Sequence, residues 1–274
     1  MSKQVYICGC AYNCASYIPR VFDNIIKIGG QFDEYRVIVA YDHSTDKTLR
    51  YLVEQKKRLL NKGVELIILI NNNPRSTIRT ENISNARNSI LDKIGEMNAS
   101  LNWPYFAMID LDNVSIGDLD ISVLQRSLNR DDWDAISFNR RDYYDIWALS
   151  YGPYIYNGWS WSTGRAAIID IYNKITNLLN SMDSDALLPC YSAFNGFGLY
   201  RCEKCLTSRY DWRTRTFNKD IMNQNGNHLN ASPLNRPDDC EHRNFHLDAI
   251  RKAGARIRIS PECLFTSPIK LFNT

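Results

Sequence analysis

The chain has 274 residues, enough for one large α/β domain or two small ones. Its 44% hydrophobic content is ordinary for a globular protein, and a net charge of +3 is too mild to argue for nucleic acid as a partner. No apolar stretch reaches the length of a bilayer span, and Met1-Ser2-Lys3-Gln4 leads straight into a strand-like run, so the eight cysteines are expected to be mostly reduced thiols of a cytoplasmic protein.

In chain order, residues 5–8 (VYIC) predict a first strand, followed by Gly9-Cys10-Ala11-Tyr12-Asn13 and an amphipathic helix over 15–28 that stops at Gly29-Gly30. Residues 35–41 (YRVIVAY) predict a second strand, ending in Asp42-His43-Ser44-Thr45-Asp46-Lys47-Thr48. Ser44, Thr45 and Asp46 are helix-starting residues, and the next helix should extend to 61. A third strand over 64–70, a polar loop over 71–79 and a helix over 82–97 lead into a fourth strand within PYFAMIDLDN, 104–113. Asp118-Leu119-Asp120 opens a helix to 129, and residues 133–139 (WDAISFN) predict a fifth strand. Beyond Arg140 the pattern is less regular and rich in aromatics, up to a helix over 163–181. Residues 191–200 read as a loop feeding a strand and 207–237 as a polar, mobile loop. A helix over 240–253, capped by Asp238-Asp239 and stopped by Gly254, precedes a last strand over 256–259. Strands alternating with helices predict an α/β fold with a mostly parallel sheet.

The run Tyr105-Phe106-Ala107-Met108-Ile109 suits a strand buried on both faces, and it ends in Asp110-Leu111-Asp112. Open α/β sheets bind ligands at the carboxyl ends of their strands. Alternate residues of an extended strand point the same way, so Asp110 and Asp112 can face one ligand. Two carboxylates there suit a hard divalent cation, which shares its oxygen ligands with substrate phosphates. The plain alternative is that the pair caps the strand before a loop.

Four blocks together resemble the nucleotide-sugar-dependent glycosyltransferases of the GT-A fold. Asp42-His43-Ser44-Thr45-Asp46-Lys47-Thr48 resembles the family's D-G-S-T-D-x-T after its second strand. Arg79 followed by Asn85-Ala86-Arg87-Asn88 resembles its R…A-R-N helix, and Asp110-Leu111-Asp112 matches its metal motif. Cys240-Glu241-His242, before a helix with Arg251, Gly254, Ile257 and Pro261, resembles its E-D…R…G…I…P block. Tyr143-Tyr144-Asp145-Ile146-Trp147-Ala148-Leu149 is more similar to the capsule-type and large-virus branch. The resemblance implies one GT-A domain over 1–274, with a nucleotide-sugar half (1–139) and an acceptor half (140–274). The implied fold is a Rossmann-like, mostly parallel sheet flanked by helices, with a smaller mixed sheet on the acceptor side.

Asp42, at the end of a strand, is placed to accept from a base NH or a ribose hydroxyl beside Ala11, Tyr12 and Asn13, or merely caps a turn. Arg79 and Arg87 can fork onto diphosphate oxygens, or lie on a solvated helix face. The resemblance implies Asp112 as direct ligand of Mn²⁺ or Mg²⁺, with Asp110 and Leu111 beside it at the donor and Asp110 on metal or ribose. It implies Glu241 as the catalytic base, with Asp239 the second choice, whose plain role is helix capping. His242 is a candidate third metal ligand, sharing a helix face with His246. Trp159, Trp161, Asp142 and Asp145 are candidate acceptor contacts, and Asn195-Gly196 resembles the family's acceptor loop. The expected reaction moves a sugar from a UDP-sugar, with a GDP-sugar as the alternative, to a carbohydrate or glycoprotein acceptor, inversion being favoured over retention. Competing readings are an inert glycan-binding domain, a nucleotidyltransferase, for which only Gly9 follows the first strand, and a structural zinc on Cys202, Cys205, Cys240 and His242.

Overall fold

The structure, a computed structural model, describes residues 3–152, 155, 165–213 and 238–267. Eight strands form one sheet. They are β1 (Gln4–Ala11), β2 (Glu34–Tyr41), β3 (Leu66–Ile70), β4 (Tyr105–Ile109), β5 (Ala135–Asn139), β6 (Leu188–Cys190), β7 (Phe197–Arg201) and β8 (Ile257–Cys263). Their order is β3-β2-β1-β4-β7-β5-β8-β6. The β3-β2-β1-β4 half is parallel throughout, with Val5 opposite Tyr35 and Tyr105. β7 runs antiparallel to both β4 and β5, β8 is parallel to β5, and β6 is antiparallel to β8. The mixed strands expected as a second, smaller sheet thus continue the first, because β7 hydrogen-bonds β4 on one side and β5 on the other.

The helices are α1 (Ile18–Gly29), α2 (Thr48–Leu60), α3 (Arg79–Leu101), α4 (Ile121–Leu128), α5 (Arg165–Ser181), the single turn α6 (Cys202–Cys205) and α7 (Glu241–Ala253). Alternation along β1 explains how they are layered. Val5 and Ile7 point to a core with Phe22 and Ile25 of α1, Leu52 of α2 and Leu124 of α4. Tyr6 and Cys8 point to the opposite core, with Ile90 and Ile94 of α3, Ile175 of α5 and Phe245 of α7. Both faces of the central strands are therefore buried, which is why β4 reads as a continuous apolar run.

Three departures from the sequence pattern matter here. β6 has three residues, one of them Pro189, and its short pattern carries no strand signal. α6 is one turn, below the length at which periodicity is readable. α3 begins at Arg79 rather than 82, because Ser76 and Asn82 organise its start. The Asn82 amide donates to the Ser76 carbonyl at 2.8 Å and accepts from the Ser76 N–H at 2.9 Å.

Candidate active site

Four chain reversals meet at one end of the sheet. β1, β2 and β4 deliver their carboxyl ends there, and the antiparallel β7 begins there. Gly9 allows β1 to lie against the turn after β4: a Cβ on it would come within 2.7 Å of Leu111 Cγ and 2.8 Å of the Ile109 carbonyl. The result is a cleft of about 460 Å³. Ala11 and Tyr12 from β1, Asp42 from β2, Asp110 to Asp112 from β4, Tyr144 and Asp145, and Glu241 and His242 at the head of α7 line it. α3 adds Arg79, Asn82, Ile83, Ala86 and Arg87, whose three- and four-residue spacing is one helical face.

At one end of the cleft Asp42 pairs with Arg75 and accepts from the Asn71 amide at 3.1 Å. The Arg75 guanidinium lies 3.5 Å from the centre of the Tyr12 ring. Arg75 sits in an aperiodic polar loop and carried no sequence signal. Asn13 does not line the cleft; its carboxamide oxygen accepts from the Thr45 N–H at 2.8 Å and fastens the β1 loop to the β2 loop.

In the middle, Arg87 is buried and joins two carboxylates. Its Nη1 pairs with Glu241 Oε1, and its Nη2 reaches Asp110 Oδ1 at 3.3 Å. Tyr144 Oη donates to the other Asp110 oxygen at 2.8 Å. Asp112 is the less compensated member of the acidic pair. Its Oδ1 accepts the Val114 N–H at 3.1 Å, as cap of a short 3₁₀ turn. Burial, then the neighbouring charge of Asp110, pushes its carboxyl up to about 6 against the opposing pull of Val114, Arg79 and Arg140. Hard oxygen donors carrying excess negative charge fit Mn²⁺ or Mg²⁺. Among the described residues no three His, Cys, Asp or Glu side chains converge on a common point. His242 therefore does not complete a set with Asp110 and Asp112, and the Cys202, Cys205, Cys240 and His242 zinc set does not form. The His242 ring instead stacks on Phe194 with centroids 3.8 Å apart. Burial first, then Arg87 and His246, holds it well below the usual histidine pKa and so neutral.

At the inner end, Asp145 lies on a segment clamped by Asn195. The Asn195 carboxamide oxygen accepts from the Tyr144 N–H at 3.3 Å and the Asp145 N–H at 3.4 Å, and its amide donates to the Phe138 carbonyl at 3.0 Å. Asn195, expected to contact acceptor, is buried and spends its amide on backbone; it does not line the cleft. Gly196 has the same structural duty. Its carbonyl accepts the Asp110 N–H at 3.0 Å, its φ is +88°, and a Cβ there would lie 3.2 Å from Tyr144 Oη and 3.3 Å from Val114 Cγ2. Gly196→Ala is expected to lower unfolding free energy by about 1–3 kcal/mol in urea titration. Asp239 is excluded from the cleft for a plain reason: both its oxygens accept from the buried Arg243 Nε, at 3.2 and 3.0 Å, and Oδ1 also takes the Cys240 N–H. Asp142 does not line the cleft either, and Trp159 and Trp161 lie outside the described residues.

Residues 6–178 match the family model described as glycosyl transferase family 2. No protein of curated function matches the chain. Among solved structures, residues 1–349 of S. aureus TarS in complex with UDP align at TM-score 0.50 and 12% identity, over 97% of this chain and 60% of that one. A mycobacterial protein aligns at TM-score 0.49 and 13% identity, over 98% of this chain and 69% of that one. The mannosyltransferase PcManGT from Pyrobaculum calidifontis, in complex with GDP-Man and Mn²⁺, aligns at TM-score 0.38 and 18% identity, over 54% of this chain and 39% of that one. The chain therefore spans less than two thirds of the length of the TarS 1–349 and PcManGT chains. No helix among the described residues is long and apolar enough to cross a membrane.

Proposed function

The chain belongs to glycosyl transferase family 2, and from that premise we propose that it transfers a sugar from a UDP-sugar to a carbohydrate hydroxyl in a metal-dependent, inverting reaction. The observation that carries the reading is that one cleft is lined by Ala11, Tyr12 and Asp42, by Arg79 and Arg87, by Asp110 and Asp112, and by Asp145 and Glu241. Ala11, Tyr12 and Asp42 take the nucleoside, the Tyr12 ring offering a face to the base once Arg75 moves aside. Arg79, on the cleft face of α3, takes diphosphate oxygens. Asp112, with Asp110 beside it, holds Mn²⁺ or Mg²⁺, and the nucleotide's own oxygens complete the coordination, as is usual where the protein supplies few ligands. The metal supplies neutralising charge for the departing diphosphate. Glu241 and Asp145 both line the cleft, and a carboxylate there takes the proton of the acceptor hydroxyl. Uracil is preferred to guanine because UDP is the nucleotide bound by TarS, the neighbour with the highest fold similarity of those above.

Calorimetric titration of UDP, GDP and CDP, each with and without Mn²⁺, tests this. Micromolar UDP binding that requires Mn²⁺ is expected. Metal-dependent GDP binding in its place would make the donor a GDP-sugar. No affinity for any of the three would leave a glycan-binding domain as the better reading.

A further inference from the structure

We propose that Asp145, rather than Glu241, is the general base that takes the proton of the acceptor hydroxyl; this rests on the transferase reading above. Two carboxylates share the inner end of the cleft, and their surroundings differ. Glu241 is buried with Arg87, whose guanidinium holds its Oε1 while also reaching Asp110. A carboxylate so paired has its charge already compensated, and protonating it would break a buried ion pair. Its geometry is that of a strut between α7 and α3.

Asp145 makes no salt bridge among the described residues. Its Oδ1 accepts one backbone N–H, from Ala148 at 3.1 Å. Its main chain is held by Asn195, so the side chain projects from a fixed backbone. Negative neighbours surround it: Asp110 from the turn after β4 and Glu241 from α7, with Arg87 of α3 the opposing charge. Of Asp145 and Glu241, Asp145 is the one that no guanidinium pairs among the described residues, which leaves an oxygen able to take a proton. Trp147, two residues on, also lines the cleft.

The step balances as a single displacement. The acceptor oxygen forms a bond to the anomeric carbon, the bond from that carbon to the diphosphate oxygen breaks, and its electron pair leaves with UDP. The acceptor proton passes to the Asp145 carboxylate. Glu241 then serves as a positioning residue that fixes Arg87, and through it Asp110.

The test compares Asp145→Asn, Asp145→Glu and Glu241→Gln with the wild type. UDP release is measured from UDP-glucose, UDP-galactose and UDP-N-acetylglucosamine, with water and methyl glycosides as acceptors, alongside calorimetric UDP affinity in Mn²⁺. Asp145→Asn is expected to lower kcat by about 100-fold or more with UDP affinity unchanged, as loss of a general base does. Asp145→Glu should recover part of that rate, and Glu241→Gln should keep measurable turnover. Turnover of Asp145→Asn within a few-fold of wild type overturns the assignment. So does a parallel loss of UDP affinity in Asp145→Asn, which would mark the residue as structural, or turnover lost only in Glu241→Gln. A wild type without UDP affinity would instead overturn the transferase reading itself.

Discussion

Asp112→Asn is expected to abolish metal-dependent nucleotide binding and sugar transfer while leaving the fold at least as stable. Asparagine keeps a side-chain oxygen for the Val114 N–H, so the cap of the short turn after β4 survives. What it removes is the charge. In the folded chain that charge is disfavoured by burial and by Asp110, as the upward push on its carboxyl records. Neutralising it relieves a repulsion, and the melting temperature should hold or rise. Metal affinity moves the other way. Losing an outer-shell partner alone costs metal sites roughly 10–100-fold, and loss of a direct ligand should exceed that. Calorimetry of UDP with Mn²⁺, paired with thermal melting, separates the two effects. Unchanged Mn²⁺-dependent affinity would remove Asp112 from the metal site.

Arg87→Met should have the largest effect on stability. The guanidinium is buried and neutralises Glu241, whose side chain is 6% exposed, together with the more open Asp110 at 25%. Removing one partner of a buried pair strands the other charge, which typically costs about 3–5 kcal/mol. The loss is expected to concentrate on Glu241, because Asp110 retains the Tyr144 hydroxyl and some solvent. The double variant Arg87→Met with Glu241→Gln should therefore recover most of the stability, and a double-mutant cycle in urea gives the coupling directly. A single-variant loss below about 1 kcal/mol would mean that the pair does not hold α3 to α7.

The cleft residues carried by strand ends and by α3 were legible because they belong to regular elements. Arg79 and Arg87 fall on one helical face, and Asp42 and Asp110 follow apolar strands whose ends are easily read. The segments beyond β5 were legible only as a set of residue types. Asn195, Gly196 and Asp239 look like ligand-binding residues in one dimension, yet each serves backbone or a buried arginine. Short polar side chains meet such local demands as readily as they meet a sugar, and nothing in residue type distinguishes the two.

The amino-acid sequence by itself determined the alternation of strands and helices, the parallel run of β1, β2 and β4 buried on both faces, and the acidic turn that ends β4. These are local: each depends on periodicity and on apolar runs within a dozen residues. The tertiary structure alone decided that β7 enters antiparallel between β4 and β5, that Arg87 bridges residues 23 and 154 positions away, and that Asp145 feels the charges of Asp110 and Glu241 with no salt bridge of its own among the described residues. Those facts are set by which segments close on one another through the two cores, and by how burial and neighbouring charge act on groups distant in the chain.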